Sequence, residues 1–270
     1  HILFSIKAAK AAVPSCAENG AEGMFFTVWG DDGAEASVFS ILPSMYYVSQ
    51  LVKGINDENE IKKGFKDFTG IDFDDFMLID IPAVTAKENG IVNPDKYMLY
   101  NDCLLGIFDI VANEEDGELY GNTAKRLESL TDNEEYGYIF RTIQSLCEVL
   151  AVKNDLGLRI RRAYKKGDKQ ALAVLADECI KVEALIGRFL ESLKYQWYRE
   201  NKPFGFEVQD IRIGGLWQRR SAERLKAYVN GEAEQIEELE ENLIDPECCS
   251  SKGRRELYAA FWSKYFVGII

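Results

Sequence analysis

Apolar residues recur every three or four positions along most of this chain, which is the spacing of the buried face of an α-helix. The first such stretch runs from residue 2 to about residue 19, and a second covers residues 35 to 52, where Pro43 is predicted to bend the helix. Long amphipathic helices are predicted after Asn133, and a strongly aromatic helix is predicted over residues 254–267. The pattern therefore predicts a mainly helical protein.

Two stripes are long enough to predict a core directly. The first consists of Tyr136, Phe140, Ile143, Leu146, Cys147 and Leu150, and the second of Leu172, Leu175, Cys179, Val182, Leu185, Phe189, Leu193 and Trp197. A third helical region is predicted from about Val208 to Leu243, and it ends in the acidic run EAEQIEELEE. We interpret the stripes as core instead of a cofactor site, and the acidic run as a solvated helix face.

One short segment does not have helical spacing. Residues 24–29 (MFFTVW) form an aromatic and β-branched run between Gly23 and Gly30, which is typical of a buried strand in a parallel sheet. The predicted order helix, strand, helix is a piece of an α/β fold with too few strands to complete one. Residues 53–270 are predicted to form an all-α domain.

The stretch TVWGDDGAEAS, residues 27–37, follows this predicted strand and has two interpretations. In the first, Asp32 caps the next helix, Asp31 and Glu35 favour its positive end, and Trp29 belongs to the core. In the second, the Trp29 indole lies against the face of a sugar ring while the carboxylates accept hydrogen bonds from its hydroxyls. A calcium loop is disfavoured, because the D-x-D-x-D-G pattern is absent.

Composition narrows the classes of partner. The 270 residues carry a formal net charge of −13, which disfavours nucleic acid and anionic membranes as partners. No apolar run reaches the roughly 18 to 20 residues that span a bilayer. We interpret the basic clusters RIRRAYKK (159–166) and WQRRSAER (217–224) as solvated faces or intramolecular salt-bridge networks. The six cysteines form no C-x-x-C pair, which excludes a zinc ribbon or a thioredoxin-type motif. Several of them occupy apolar positions of predicted helices, which favours a reducing, cytoplasmic location.

The only histidine is His1. Ser-His-Asp and Cys-His mechanisms need a positioned imidazole, and most zinc hydrolases need one as a ligand. None of these classes is expected here, and no metal or cofactor is predicted.

Three strings carry a resemblance to a known family. MFFTVWGDDGAEASVFSILPSMYY (24–47), NPDKYMLYNDCLLGIFD (93–109) and QWYRENKPFGFEVQDIRIGGLWQRR (196–220) closely resemble glycoside hydrolase family 20, the exo-β-N-acetylhexosaminidases. The similarity is strongest to the bacterial subgroup that carries a helical domain after its catalytic barrel. Cys103 stands where that family usually has proline, and Ala36 where it usually has cysteine.

The resemblance implies a domain organisation. Residues 1–52 would be the last part of a (β/α)8 barrel, and residues 53–270 the α-helical C-terminal domain. The family releases terminal N-acetylglucosamine or N-acetylgalactosamine with retention, and the substrate's own acetamido oxygen is the nucleophile.

The resemblance also implies which site residues this chain holds. Trp29 would stack on the sugar, and Asp31, Asp32 or Glu35 would bind its hydroxyls. The family's catalytic Asp-Glu pair lies in a motif like H-x-G-x-D-E, which this sequence lacks, so we predict no catalytic residue in this chain and no activity of the chain alone.

Two further strings are interpreted as architecture. The string Tyr100-Asn101-Asp102 is predicted to cap a helix, and Asp102 and Asp109 are predicted to reach arginines of the long helices. In 205–220, the Gly214-Gly215 pair is predicted to permit close helix packing. The same string is predicted to hold a partly buried ion network; its members would be Asp210, Arg212, Arg219 and Arg220.

Two alternatives remain. The first is a helical module for docking or dimerisation without a catalytic role, and a homodimer would fit it. The second is a hydrolase that binds a metal through Asp31, Asp32 and Glu35, which the sequence favours less.

Overall fold

The computed structural model describes residues 2–28, 35–83, 94–109, 112–213 and 215–243. The α-helices are α1 (Ile2–Glu18), α2 (Leu42–Val52), α3 (Glu58–Thr69), α4 (Phe73–Phe76), α5 (Pro94–Tyr100), α6 (Asp116–Leu127), α7 (Gly137–Lys153), α8 (Leu156–Lys165), α9 (Lys169–Glu200), α10 (Phe206–Ile213), α11 (Gly215–Asn230) and α12 (Glu237–Glu240). Short 3₁₀ helices cover Val38–Ile41, Met77–Ala83 and Glu128–Leu130. Across these described ranges the protein is mainly helical and contains no β-strand.

The strand predicted over residues 24–29 is wrong for the residues that are described. Residues 24–28 are neither helix nor strand, and Phe25 is 97% exposed. A parallel strand obtains its hydrogen bonds from neighbouring strands, and the described part of this chain supplies none. The helix–strand–helix piece of a barrel is therefore not present among the described residues.

Contacts divide the chain into two compact units, residues 1–81 and 82–270, called here the N-terminal and the C-terminal unit. The division predicted after residue 52 separates a barrel from a helical domain, and it stays a prediction.

In the N-terminal unit, a buried carboxylate fixes the start of α1. Asp80 accepts hydrogen bonds from the backbone N–H groups of Ile2 (2.9 Å) and Leu3 (3.0 Å). A helix leaves its first N–H groups unpaired and carries a partial positive charge there, so a carboxylate stabilises this end.

Aromatic rings form the core of the same unit. Phe65 of α3 contacts Phe73 and Phe76 edge-on, with ring centroids 5.2 and 5.6 Å apart, and all three are buried. Tyr47 of α2 also contacts Phe73, with ring centroids 6.1 Å apart. Such edge-to-face pairs add to the gain from burying the rings.

The helix predicted over residues 35–52 begins later than expected. Ser37 caps the 3₁₀ turn Val38–Ile41 by accepting a hydrogen bond from the N–H of Phe39, and α2 follows. Pro43 therefore lies in the first turn of α2, where its missing N–H costs nothing, and the predicted bend is wrong.

The C-terminal unit is a bundle in which consecutive long helices pack side by side. α6 lies against α7, α7 against α9, and α9 against α11, while α8 lies against α9. Asp168 caps α9 through the N–H of Ala171 (2.9 Å). Every residue of the predicted stripe on α9 is buried, as is the stripe of α7 apart from the half-buried Ile143, so both core predictions are confirmed.

The third predicted region is not one helix. α10 ends at Ile213 and α11 at Asn230, and α12 is a single turn further on. Gly231 follows α11 with a left-handed φ of 80°, a conformation that ends a helix at little cost for glycine.

Candidate functional site

The predicted sugar-binding stretch is described only in part. Trp29, Asp31 and Asp32 lie outside the described residues, and Glu35 is half-buried just before Ser37. Among the described residues, Ser37 caps the following 3₁₀ turn.

The described residues instead hold a buried polar cluster, which lies at the family-like string 93–109 and is contacted by the string 196–220. It is built on α5 and the loop 101–109, with α7 and α8 behind them. We call it the polar node; it consists of Asn101, Asp102, Asp109, Lys153 and Arg161.

Lys153, at the end of α7, caps α5 from outside. Its ammonium donates three hydrogen bonds, to the carbonyls of Met98 (2.6 Å), Leu99 (2.8 Å) and Asn101 (2.6 Å). An ammonium has three protons, so all are used. The last carbonyls of a helix lack partners within the helix and carry partial negative charge, which a cation offsets. Burial lowers the pKa of Lys153, which is only 3% exposed.

Arg161, on α8, joins two segments that are distant in sequence. Its Nη1 and Nη2 atoms donate to carbonyls of the loop 101–109 and of the segment at α12. The acceptors, at 2.8 to 3.3 Å, are Leu104, Leu105, Glu238, Leu239 and Glu241. The planar guanidinium can hold several acceptors at fixed angles, so one side chain fixes both segments against α8.

Asp109 is held within the loop. Asn101 donates from Nδ2 to Asp109 Oδ1 (2.7 Å) and accepts at Oδ1 from the N–H of Phe108 (3.0 Å). A Cβ added at Gly106 would lie 2.5 Å from Asp109 Oδ2, and one at Gly157 would lie 2.6 Å from Oδ1. The carboxylate therefore occupies space that only glycines leave open, and Gly106 also has a left-handed φ of 63°.

Two kinds of influence act in opposite directions on the pKa of Asp109. Burial raises the pKa of this carboxyl, while the hydrogen bond from Asn101 and the charges of Arg161 and Lys153 lower it. The predicted contact with a long-helix arginine is therefore a proximity to Arg161 and not a direct bond. Asp102 does not reach an arginine in this arrangement: its Oδ1 accepts from the N–H groups of Leu104 and Leu105 and shapes the loop.

Two of the family-like strings meet at this cluster. Tyr100 donates to the Oε1 of Gln209 (3.4 Å), and the thiol of Cys103 donates to the Oε1 of Gln218 (3.4 Å). Burial raises the pKa of Cys103 to about 11, so this thiol is protonated and not a nucleophile. The string 196–220 therefore holds the string 93–109 in place through the buried side-chain amides of Gln209 and Gln218.

The predicted ion network in residues 205–220 is partly visible. Arg219 pairs with Glu183 (2.7 Å) and Arg220 with Glu238 (3.6 Å), and both arginines are more than half exposed. The side chains of Asp210 and Arg212 lie outside the described residues, as does Gly214. Gly215 would meet Ile186 of α9 at an ordinary 3.5 Å with an added Cβ, so that glycine does not force the helices together.

Sequence reasoning missed Lys153 and Arg161. The cluster 159–166 was interpreted as solvated faces or salt bridges, which is confirmed for Arg159 and Arg162 but wrong for Arg161, which is 4% exposed. A signal was present in the spacing. Lys153 follows Leu150 by three residues on the stripe of α7, and Arg161 follows Gly157 by four on the buried face of α8.

The side chains of Asp109, Lys153 and Arg161 are buried, and they bond the protein's own backbone and side chains. The two cations of the polar node donate to backbone carbonyls, and the neighbouring thiol of Cys103 is protonated. Within the described ranges, no three Cys, His, Asp or Glu side chains are grouped to bind a metal ion, and no helix combines the length and apolarity needed to cross a bilayer. The node fixes the shape of the C-terminal unit.

The family model described as the Glycoside Hydrolase 20C C-terminal domain matches residues 74–255, which is more than half of the chain. The match includes the polar node and the strings that build it. No curated protein matches the chain.

Proposed function

Since this chain belongs to the Glycoside Hydrolase 20C C-terminal domain family, we propose that it is the C-terminal part of a retaining exo-β-N-acetylhexosaminidase. The observation that carries the proposal is the family match over residues 74–255. The described part of this range is helical, and its two family-like strings are in contact through Tyr100 and Cys103.

The proposed chemistry divides the work between the substrate and the parent enzyme. In the first step, the substrate's acetamido oxygen attacks the anomeric carbon, the glycosidic bond breaks, and a Glu donates a proton to the leaving oxygen. The first step leaves a cyclic oxazolinium ion. In the second step, the same Glu removes a proton from water, whose oxygen attacks the anomeric carbon, opens the oxazolinium ring and restores the original anomeric configuration. A neighbouring Asp orients the acetamide. Both carboxyls belong to an earlier barrel strand, with a motif that this sequence lacks.

This chain would contribute one wall of the sugar pocket. Trp29 would cover the apolar face of the ring, and Asp31, Asp32 or Glu35 would accept hydrogen bonds from hydroxyls at the non-reducing end. The carboxyl end of a barrel strand is where such residues act. Charged acceptors also make stronger hydrogen bonds than neutral ones.

The proposed contact between Trp29 and the sugar is tested in a polypeptide that adds the preceding barrel strands to this chain. Trp29→Ala should lower kcat/KM on an aryl N-acetyl-β-glucosaminide by about tenfold or more, since about 1.4 kcal/mol of lost transition-state binding is a factor of ten. Trp217→Ala, at a half-exposed tryptophan on α11, is the control and should leave kcat/KM within about twofold. Equal effects of the two substitutions would remove Trp29 from the pocket. Asp31→Asn, Asp32→Asn and Glu35→Gln then identify the carboxylate that binds the sugar.

Turnover measurements test whether catalysis requires carboxyl groups from outside this chain. The 270-residue chain alone should give no turnover above the buffer blank, and the polypeptide with the added strands should turn over the same substrate. Turnover by the chain alone would overturn the proposed dependence on an upstream Asp-Glu pair.

A docking or dimerisation role is the second candidate, and the exposed segment 24–28 favours it. Phe25 is 97% exposed, and Phe26 and Val28 are more than half exposed. Apolar surface of this kind is usually covered by a partner. In the leading proposal the barrel covers it, and in the second a protein partner or another copy does. Light scattering of the chain, with and without Phe25→Ser, distinguishes self-association from a monomer.

A cytoplasmic location remains part of the proposal. Cys103, Cys147 and Cys179 are buried as free thiols, which supports a reducing compartment.

A further inference from the structure

Two buried polar atoms of the polar node lack a hydrogen-bond partner among the described residues: Asp109 Oδ2 and Arg161 Nε. The rest of both side chains is used. Asp109 Oδ1 accepts from Asn101, and the Nη atoms of Arg161 donate to five carbonyls. A buried polar atom without a partner costs about 1–3 kcal/mol, so natural proteins usually supply one.

Both atoms lie between the loop 101–109 and α8. Gly157 touches the Asp109 carboxylate, and Arg161 lies one helical turn further along the same face of α8. On the loop side, Gly106 touches Asp109 Oδ2, and the residue before it, Leu105, accepts a hydrogen bond from Arg161 Nη2 (3.3 Å). The Arg161 charge also acts on the Asp109 carboxyl. The two orphan atoms therefore belong to one small region, yet neither bonds the other.

Lys153, the other cation near this carboxylate, cannot serve it. Its three protons are all donated to backbone carbonyls at 2.6 to 2.8 Å. Any proton for Asp109 Oδ2 must come from another group.

The pair of atoms selects the chemistry of what joins them. Asp109 Oδ2 needs a donor, and Arg161 Nε needs an acceptor. A bound cation would satisfy only the carboxylate and would be repelled by the guanidinium. A bound anion would satisfy only the guanidinium and would be repelled by the carboxylate. A neutral molecule that both donates and accepts, and is small enough for a protein interior, satisfies both.

We infer that a buried water molecule links Asp109 Oδ2 to Arg161 Nε. The water donates one proton to the carboxylate and accepts the Nε–H, and it joins the loop 101–109 to α8 without direct contact between the charges. Buried waters of this type typically make about three hydrogen bonds and are as integral to a fold as side chains. This inference is independent of the proposed function.

A crystal structure of the 270-residue chain, at a resolution that shows ordered waters, tests the inference. The expected result is one water oxygen within about 2.7–3.2 Å of both Asp109 Oδ2 and Arg161 Nε. A direct Nε–Oδ2 bond, an ion at this position or a dry gap would each overturn it.

A measurement in solution covers the case in which crystals do not form. In the ¹⁵N-labelled chain, the Nε–H of Arg161 should show a cross-relaxation peak with a long-lived water. Triple-resonance connectivities to the side chain assign the signal. Arg162→Lys, at the exposed neighbour on the same helix, is the control and should leave the peak unchanged. Absence of the peak at an assigned Arg161 Nε–H would overturn the inference.

Discussion

Two buried cations, Lys153 and Arg161, stabilise backbone segments through carbonyl oxygens instead of through carboxylates. Lys153, on α7, donates to the last carbonyls of α5, and Arg161 fixes the loop 101–109 to the segment at α12. Because a carbonyl carries no full charge, the desolvation cost of each cation is offset by three or more hydrogen bonds and not by a bonded carboxylate. The geometry therefore matters more here than the charge count.

Replacing Lys153 should destabilise the C-terminal unit strongly. Lys153→Met keeps most of the side-chain volume but leaves the carbonyls of Met98, Leu99 and Asn101 without their donor. We expect a loss of about 3 kcal/mol in the free energy of unfolding, measured by urea denaturation. Lys181→Met, at an exposed position of α9, is the control and should change it by less than about 0.5 kcal/mol. Similar values for both variants would contradict the capping role.

Asp95, in the first turn of α5, should make stability depend on pH. Its Oδ1 is buried without a partner among the described residues, and burial, opposed by the N–H of Lys96, raises its pKa to about 6. A folded pKa above the unfolded value of about 3.9 means that its contribution to stability is fully present below about pH 4 and is lost as pH rises through about 6.

Asp95→Asn removes this titration. The variant should gain stability relative to the parent chain as pH rises from about 4 to 7, measured by urea denaturation at each pH. Asp132→Asn, at an exposed position, gives the baseline. A difference between Asp95→Asn and the parent that stays constant over this range would show that Asp95 has no raised pKa.

At the scale of elements, α8 packs on the loop 101–109 because Gly157 has no side chain. Glycine within a helix normally costs about 0.5–1 kcal/mol relative to alanine. At Gly157 an added Cβ would lie 2.6 Å from Asp109 Oδ1, whereas at Gly187 of α9 nothing lies within 4 Å. The two helical glycines thus differ in surroundings and not in backbone.

Replacing these two glycines by alanine should change the free energy of unfolding in opposite directions. Gly157→Ala should lower the free energy of unfolding by about 1–3 kcal/mol, because the buried carboxylate must move. Gly187→Ala should raise it by about 0.5–1 kcal/mol. Thermal or urea unfolding of both variants measures the difference. A stabilising Gly157→Ala would mean that the loop yields easily and that Asp109 is not held tightly.

The elements also show which structural features a sequence can disclose. The stripes of α7 and α9 predicted their helices and their cores, since a helix with a continuous apolar face depends mostly on its own spacing. The strand over 24–29 was mispredicted in its described part, because a strand depends on neighbours outside its own sequence. The spacing of Lys153 and Arg161 indicates buried helix faces, but their role was missed because no residue pattern marks a backbone carbonyl as an acceptor.

At the scale of the whole molecule, the chain consists of a small aromatic-cored N-terminal unit and a larger helical unit that carries most of the family match. The helical unit is held by backbone caps and buried amides around the polar node. The N-terminal unit exposes the apolar segment 24–28, which a barrel or another partner would cover. The helical unit therefore supplies a fixed shape, and we propose that the N-terminal unit supplies the wall that contacts the sugar.

The most direct test joins this chain to the barrel strands that carry the H-x-G-x-D-E motif and compares two versions, one complete and one lacking residues 1–52. Turnover of an aryl N-acetyl-β-glucosaminide is measured at saturating substrate, with far-UV circular dichroism to confirm that the helical unit is folded in both. We expect turnover by the complete version and at least a hundredfold loss (about 2.7 kcal/mol) in the truncated one. Equal turnover by two folded versions would contradict it.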